Sequence, residues 1–408
     1  MLKQSYFPRI VTLALLFYSI GGSQAHSQDS VVSLDQALKA TKILADLRLR
    51  YEAADFANIT ENANALTYRA RLGFETGAFA DTKFLIELDH NQALIDDFNS
   101  TLNGNTDFPV IADPNVTELN RLQLTNTSLP DTTVTLGRQR IILDDARFVG
   151  NVGWRQDEQT YDAIRVVNKS IENVTFDVSY INQVNRIFGD EAPSSKFDSE
   201  SWILNAGYSL QLEKMTVKIK GYGYFLDLSN TALSSHTYGA TVDVKSGIWK
   251  AKAGLAVQSD FGNQPTEYKE NYYVFEAGVA QNGLSGLVGY EVLSGDGTKA
   301  FTTPLATLHK FNGFTDVFLN TPADGLEDLY VKAGYKSQAI GSLKYINVFG
   351  VYHDFNSSNL SQDLGRELNA VISTQIGKTK ILFKYADYTS DGFATDRRRY
   401  SVQLDYKF

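Results

Sequence analysis

The sequence predicts an all-β protein, a transmembrane antiparallel up-and-down β-barrel of 18 strands. Three observations carry this. Segments of about ten residues with alternating apolar and polar side chains recur from Ala45 to Phe408, the period of two that sets one face of an extended chain on lipid and the other in water. The connections between them are alternately short and long, as in a barrel with both termini in the periplasm. No later stretch approaches the roughly 20 apolar residues a transmembrane helix needs, and a mean hydropathy of -0.23 suits a wall in which only alternate residues meet lipid.

At the N-terminus, Lys3 and Arg9 flank an apolar run from Ile10 to Ile20 that ends at Ser23-Gln24-Ala25, which predicts a signal peptide over 1–25. Residues 26–41 are expected as a periplasmic N-terminal segment. Within it SLDQALKA can form one or two helical turns, with Ser33 as N-cap and Leu34 and Leu38 on one face. The barrel is expected over 42–408.

Strands are predicted near Ala45–Ala54, Leu66–Thr76, Thr82–Asn91, Leu119–Thr127, Thr132–Ile142, Tyr161–Asn168, Asn173–Asn185, Ser201–Leu210 and Met215–Asp227. The second half supplies His236–Lys245, Ile248–Asp260, Asn271–Ala280, Leu284–Leu293, Leu326–Lys336, Leu343–Phe355, Leu364–Ile376, Thr379–Tyr388 and Arg397–Phe408. In the last strand Val402, Leu404, Tyr406 and Phe408 oppose Ser401, Gln403, Asp405 and Lys407. Tight turns fall at Gly77-Ala78, Leu129-Pro130-Asp131, Ser170-Ile171-Glu172, Ser246-Gly247, Asn282-Gly283, Ile340-Gly341-Ser342 and Gly377-Lys378. The largest loops run from Gln92 to Glu118, Leu143 to Thr160 and Ser294 to Gly325. Two strands are ambiguous, because Val134 and Leu136 share a parity with Arg138 and Arg140, and Tyr345 and Phe349 compete with Ile346 and Val348. A bulge would rephase either.

The formal charge is -9, and loss of Lys3 and Arg9 leaves 36 basic against 47 acidic residues, which argues against a nucleic-acid partner. With Cys 0 the exported chain has no disulfide framework, and strand pairing must hold it together.

The inward parity is crowded with cations: Arg48, Arg50, Arg69, Arg71, Lys218, Lys220, Lys332, Lys384, Arg397 and Arg399. A charge facing lipid at mid-depth costs about 2–4 kcal/mol, so these side chains are expected to point into water. They share the lumen with acids such as Asp46, Glu52, Glu87, Asp89 and Asp177. One reading is a charge ladder that solvates the wall, and the other is an electropositive constriction that attracts anions. A barrel of this size leaves an aqueous channel unless loops fold inside, and two loops read as structured. GRQR and DDARFVGNVGWRQ alternate Arg, Asp and aromatic residues, which suggests Arg147 or Arg155 pairing Asp144 or Asp145. FTTPLATLHKFNGFTD is too apolar for bulk water and is expected to tuck into the mouth.

Tyr222, Tyr224, Tyr272, Tyr273, Tyr388 and Phe393 lie near strand ends and read as an aromatic girdle, with a stacking track inside the lumen as the alternative. The His residues are scattered without ligand spacing, and the Asp-rich stretches match no complete calcium loop. No metal and no cofactor is expected. A hydrolase would need a nucleophile beside an oriented His, which the strand pattern does not offer, so an enzyme is not expected.

The stretches GRQR, DDARFVGNVGWRQDEQTYDAIRV, PLATLHKFNGFTDVFLNTPADGLEDLYV and DLRLRYE resemble the alginate-export family of outer-membrane porins. That resemblance implies an eighteen-stranded barrel with an arginine-rich, anion-selective path for a uronate polysaccharide. It places Arg138, Arg140, Arg147 and Arg155 near the path, with Asp144 and Asp145 as their partners. The expectation is therefore a porin in the outer membrane of a Gram-negative bacterium, surrounded by lipid and lipopolysaccharide and passing small or polymeric, anionic, hydrophilic solutes. A non-selective general porin and a loop-plugged structural or adhesive barrel are the alternatives.

Overall fold

A computed structural model describes residues 33–408. The signal peptide expected over 1–25, and residues 26–32 of the N-terminal segment, lie outside the described residues. What is described of that segment is α1, Leu34–Lys39, closed by a capping box in which Ser33 and Gln36 satisfy each other's backbone N–H. Its packing face is not the leucine pair but Ala37, whose carbonyl accepts from Gly77 N. A Cβ on Gly77 would stand 2.9 Å from that oxygen, so the glycine admits the helix against the turn over 76–81.

The first nine strands are β1 Lys42–Phe56, β2 Ala63–Glu75, β3 Thr82–Asp97, β4 Val116–Asn126, β5 Thr132–Gln139, β6 Thr160–Asn168, β7 Val174–Asn185, β8 Lys196–Leu212 and β9 Met215–Leu226. The rest are β10 Ser235–Ser246, β11 Trp249–Asp260, β12 Lys269–Gln281, β13 Leu284–Leu293, β14 Leu326–Lys336, β15 Leu343–Asn356, β16 Asp363–Ile376, β17 Thr379–Thr389 and β18 Arg397–Lys407. Each pairs antiparallel with its sequence neighbours, and β1 pairs with β18 from Asp46↔Lys407 to Phe56↔Arg397. The sheet is closed, so no backbone edge meets lipid.

The closing seam shows why the sequence folds this way. Leu47, Leu49 and Tyr51 on β1 lie opposite Tyr406, Leu404 and Val402 on β18, all outward, while Arg50 and Gln403 pair inward. The belt continues around the wall through Ile164, Ile219, Leu255, Val288, Leu329 and Ile372, each exposed. Of the two ambiguous strands β15 is rephased, whereas β5 keeps an unbroken register with β4 and β6 and ends early. Gly137 adopts φ 108°, and a Cβ there would stand 2.3 Å from the Leu122 carbonyl. β5 therefore ends at Gln139, short of the expected Ile142, and the chain turns into the lumen. In β15 the register shifts between Leu343 and Ile346, after which Val348 and Tyr352 face out and Val351 and His353 face in.

The largest packed core lies inside the barrel. Phe148 packs against Tyr222, Tyr224, Tyr272 and Phe301 with ring centroids 5.2–6.0 Å apart. Phe318 packs on Phe355 and Tyr388. The expected girdle residues Tyr222, Tyr224, Tyr272 and Tyr388 are thus interior, and Tyr273 is the one of the five strand tyrosines that faces out. The reason is parity: Tyr222 and Tyr224 share theirs with Lys218 and Lys220, and Tyr272 shares its own with Glu276.

Candidate functional site: lumenal constriction and vestibule

Two loops, 140–159 and 294–325, cross the lumen and lock onto each other. Val149 and Leu305 form a parallel bridge, Gly150 N donates to Leu305 O at 2.8 Å, and Thr307 N donates to Ala146 O at 3.0 Å. Gln159 Nε2 donates to the carbonyls of Gly150 and Leu305, both at 3.0 Å. These bonds, made between buried groups of the two segments, make the loops one body and not two solvated caps.

Charge anchors that body to the wall. Arg155 is buried and reaches Glu52 on β1 at 3.2 Å, Asp113 at 3.5 Å and Asp316 at 3.7 Å. Arg50 joins the same node through Glu52 at 3.4 Å, a contact with Asp113, and Trp154, whose ring lies 4.6 Å from its guanidinium carbon. Arg399 adds Glu52 at 3.0 Å and the Thr315 and Val110 carbonyls. Arg48 pairs Asp405 at 2.8 Å and donates to the Gly153, Trp154 and Arg155 carbonyls. Arg71 pairs Asp89 at 2.6 Å and Glu158 at 3.2 Å, and Arg140 closes on the same Glu158. On the far wall Arg147 makes a bidentate pair with Glu291 at 2.7 and 3.1 Å.

Several expected site residues are thus placed differently from the reading as a cationic path. Arg50, Arg69, Arg71, Arg147, Arg155 and Arg399 are buried and each is paired with a carboxylate; Arg69 takes Asp46 at 2.5 Å. They are fasteners because carboxylates distant in sequence converge on them. Arg138 stands apart, paired with Asp162 at 2.8 Å and the Leu119 carbonyl. Arg397 packs over Phe56 and reaches only the Asp316 carbonyl, at 3.4 Å. Asp144 and Asp145 form no ion pair with Arg147 or Arg155; from Arg147 the Asp145 carboxylate accepts only the backbone N–H, at 3.2 Å. Positive φ at Asp144 (55°) and Ala146 (68°) turns both carboxylates toward the opposite wall, where Asp144 meets Lys220 and Asp145 meets Lys252 at 2.6 Å. Lys332 lies 4.0 Å over the Phe349 ring.

His309, an isolated loop residue by sequence, sits at the seam's centre. Its ring stacks on Trp154 (4.7 Å, 9°) and on Phe314 (5.4 Å, 23°). Nδ1 meets Asp316 at 2.6 Å and Nε2 meets Lys384 Nζ at 2.8 Å, so a neutral ring that donates through Nδ1 and accepts at Nε2 satisfies both partners. Lys384 also lies over the Trp154 and Phe314 rings, at 3.7 and 3.9 Å. Burial, reinforced by Lys384 and Arg155 against the pull of Asp316, lowers the imidazole to about 4. A lowered folded value means that the unfolded loop takes up a proton first as pH falls. The contribution is fully present above about 6.5 and is lost on the way to about 4. Asp157, raised chiefly by burial, titrates in the opposite sense, so the test is a difference. Lowering pH from 7 to 4.5 should loosen the seam, read as faster amide exchange across 140–159 after correction for the intrinsic pH dependence of exchange, in the native protein and not in His309→Gln.

Beneath the tip of the 140–159 loop, at the end of the barrel with the tight turns, lies a cavity of about 630 Å³. Its wall carries Lys218, Lys220, Lys250 and Lys252 with Tyr222 and Tyr272, and Asp144, Asp145 and Phe148 form its roof. A second lobe of about 320 Å³ shares Asp144, Lys218 and Lys220. Among the described residues Lys218, Lys245 and Lys250 of this lining have no carboxylate within salt-bridge distance. Tyr222 is buried with an unpartnered hydroxyl. Free lysines beside an aromatic wall form a surface that can take a solvated anion with an apolar body.

A closed barrel with an apolar belt and a charged, loop-crossed interior is a transmembrane protein of the outer membrane. No family model matches the chain, and no curated protein matches it. Among solved structures it is similar in fold to OpdK of Pseudomonas aeruginosa, solved with vanillate, with a TM-score of 0.68 at 15% identity over 91% of this chain and 99% of that one. OccK9 (OpdG) of the same organism gives 0.66 at 15% identity over 91% and 100%. OccAB4 of Acinetobacter baumannii gives 0.65 at 14% identity over 90% and 98%. Eighteen strands, closure and localisation stand as expected.

Proposed function

We propose that this protein is a passive outer-membrane channel for small hydrophilic anions, and that it is not an enzyme. The observation that carries this is the vestibule: lysines without carboxylate partners line open space below a constriction in which nearly every arginine is already neutralised. Selectivity in this reading lies in the lysines of β9 and β11 and not in the arginine ladder. Vanillate, which accompanies the OpdK structure, carries one carboxylate on one aromatic ring, and a solute of that size fits the lysine and tyrosine lining. The resemblance to alginate-export porins implies a uronate polymer as cargo. Two interlocked loops across the lumen disfavour a polymer, so uronates enter the proposal as monosaccharides or short saccharides. Lipid and lipopolysaccharide surround the belt, and the acidic chain has no nucleic-acid partner. In proteoliposome uptake, benzoate and glucuronate should enter faster than neutral sugars of equal size. Equal rates would favour a general porin, and absence of entry a plugged structural barrel.

A further inference from the structure

Resting on the channel reading, we infer that Asp144 and Asp145 are a tethered counter-anion, an internal ligand seated in the lysine site, and that a solute carboxylate binds by replacing them. The roof of the vestibule is the only part of the 140–159 loop whose carboxylates point at lysines instead of receiving arginines. Asp144 contacts Lys220, and Asp145 contacts Lys252 at 2.6 Å while its carbonyl accepts from Lys310 Nζ. These pairs are partly exposed, with side-chain exposures of 17–34%, unlike the buried arginine nodes, so solvent and solute can reach them.

The charge balance gives the pairs a function. Lys218, Lys220, Lys245, Lys250 and Lys252 line the cavity, and the strands oppose them with only Asp243 and Glu276. With Arg147 of the same lining already held by Glu291, the loop aspartates bring the cavity close to neutrality when it is empty. An arriving carboxylate offers the same group to the same ammonium ions and restores that balance. The loop tip is built to let go: two non-glycine residues at positive φ, Asp144 and Ala146, hold a conformation that the backbone disfavours. The backbone anchors to the 294–325 loop at Ala146 and Gly150 lie behind the aspartates, and the Lys310 contact is made to the Asp145 carbonyl, so the two carboxylates can leave the lysines without unzipping the seam. An excluded neutral solute cannot make this exchange, which turns the contact into a specificity device.

The test uses the full-length protein in planar bilayers with succinate as probe. It compares native protein with Asp144→Asn/Asp145→Asn, which preserves shape and the hydrogen bond from Arg147 N to the Asp145 side chain. The half-blocking concentration of succinate should fall roughly fivefold or more, because the competing internal ligand no longer occupies the site. Chloride preference should rise with it. Adding Lys220→Gln and Lys252→Gln should abolish the gain, and heat-modifiable gel migration verifies that each barrel is folded. An unchanged half-blocking concentration in a chloride-preferring native channel would overturn the inference and leave the channel reading intact. A gain that persists without the two lysines would also overturn it. A native channel with neither succinate block nor chloride preference would overturn the channel reading and this inference with it.

Discussion

Arg155→Ala should free the 140–159 loop from the β1 wall and raise single-channel conductance, with long-lived substates. Arg155 is the cation on which Glu52, Asp113 and Asp316 converge. Deleting one partner of a buried ionic network costs on the order of 3–5 kcal/mol because it strands the opposing charges. Arg50 and Arg399 remain on Glu52, and Arg50 stays with Asp113, but Asp113 and Asp316 each lose the cation that tied the 140–159 loop to them. The barrel itself should survive, since every strand pair is untouched. Single-channel recording reads the conductance, and amide exchange across 140–159 reads the released loop. Unchanged conductance with unchanged exchange protection would show that the loop is held by its backbone seam alone. Arg147→Ala should act in the same direction on the opposite wall, by stranding Glu291.

Lys218→Glu/Lys220→Glu/Lys252→Glu should reverse ion preference from anion to cation. The triple exchange moves the vestibule by six charges, in a cavity whose five lysines face four acids. Screening confines surface fields to roughly 8 Å at physiological salt, so charges on the wall act on ions only where the path passes them. A sign change would therefore locate the path along β9 and β11. The arginines that dominate the sequence pattern should matter little to selectivity, since their charge is already balanced at close range. A triple variant that keeps chloride preference would move the selective element elsewhere.

The architecture was legible because lipid imposes a strict constraint. In β18 every second residue must be apolar, and in β1 the arginines must alternate away from Leu47 and Leu49; this fixes phase, strand count and closure together. Legibility failed where phase slips. The shift after Leu343 breaks the parity of β15, and no residue type announces a bulge as plainly as alternation announces a strand. The inward position of Arg50 and Arg399 was readable, but not their neutralisation, because Glu52, Asp113 and the loop residue Arg155 that joins them come from three separate segments. His309 was missed for the same reason: its partners Trp154 and Lys384 lie 155 and 75 residues away in the chain. The tyrosines are a different case. Tyr222 and Tyr224 continue the parity of Lys218 and Lys220, and that signal outweighed the general habit of aromatic residues in girdles.

The central claim is that free lysines in the vestibule, and not the arginine ladder, give this barrel an anion path. The zero-current potential of the native protein across a KCl gradient in a planar bilayer tests it most directly. The expected potential has the sign set by chloride and is reduced at high salt as the lysines are screened. A potential with the sign set by potassium, or a folded barrel that conducts nothing, would contradict it.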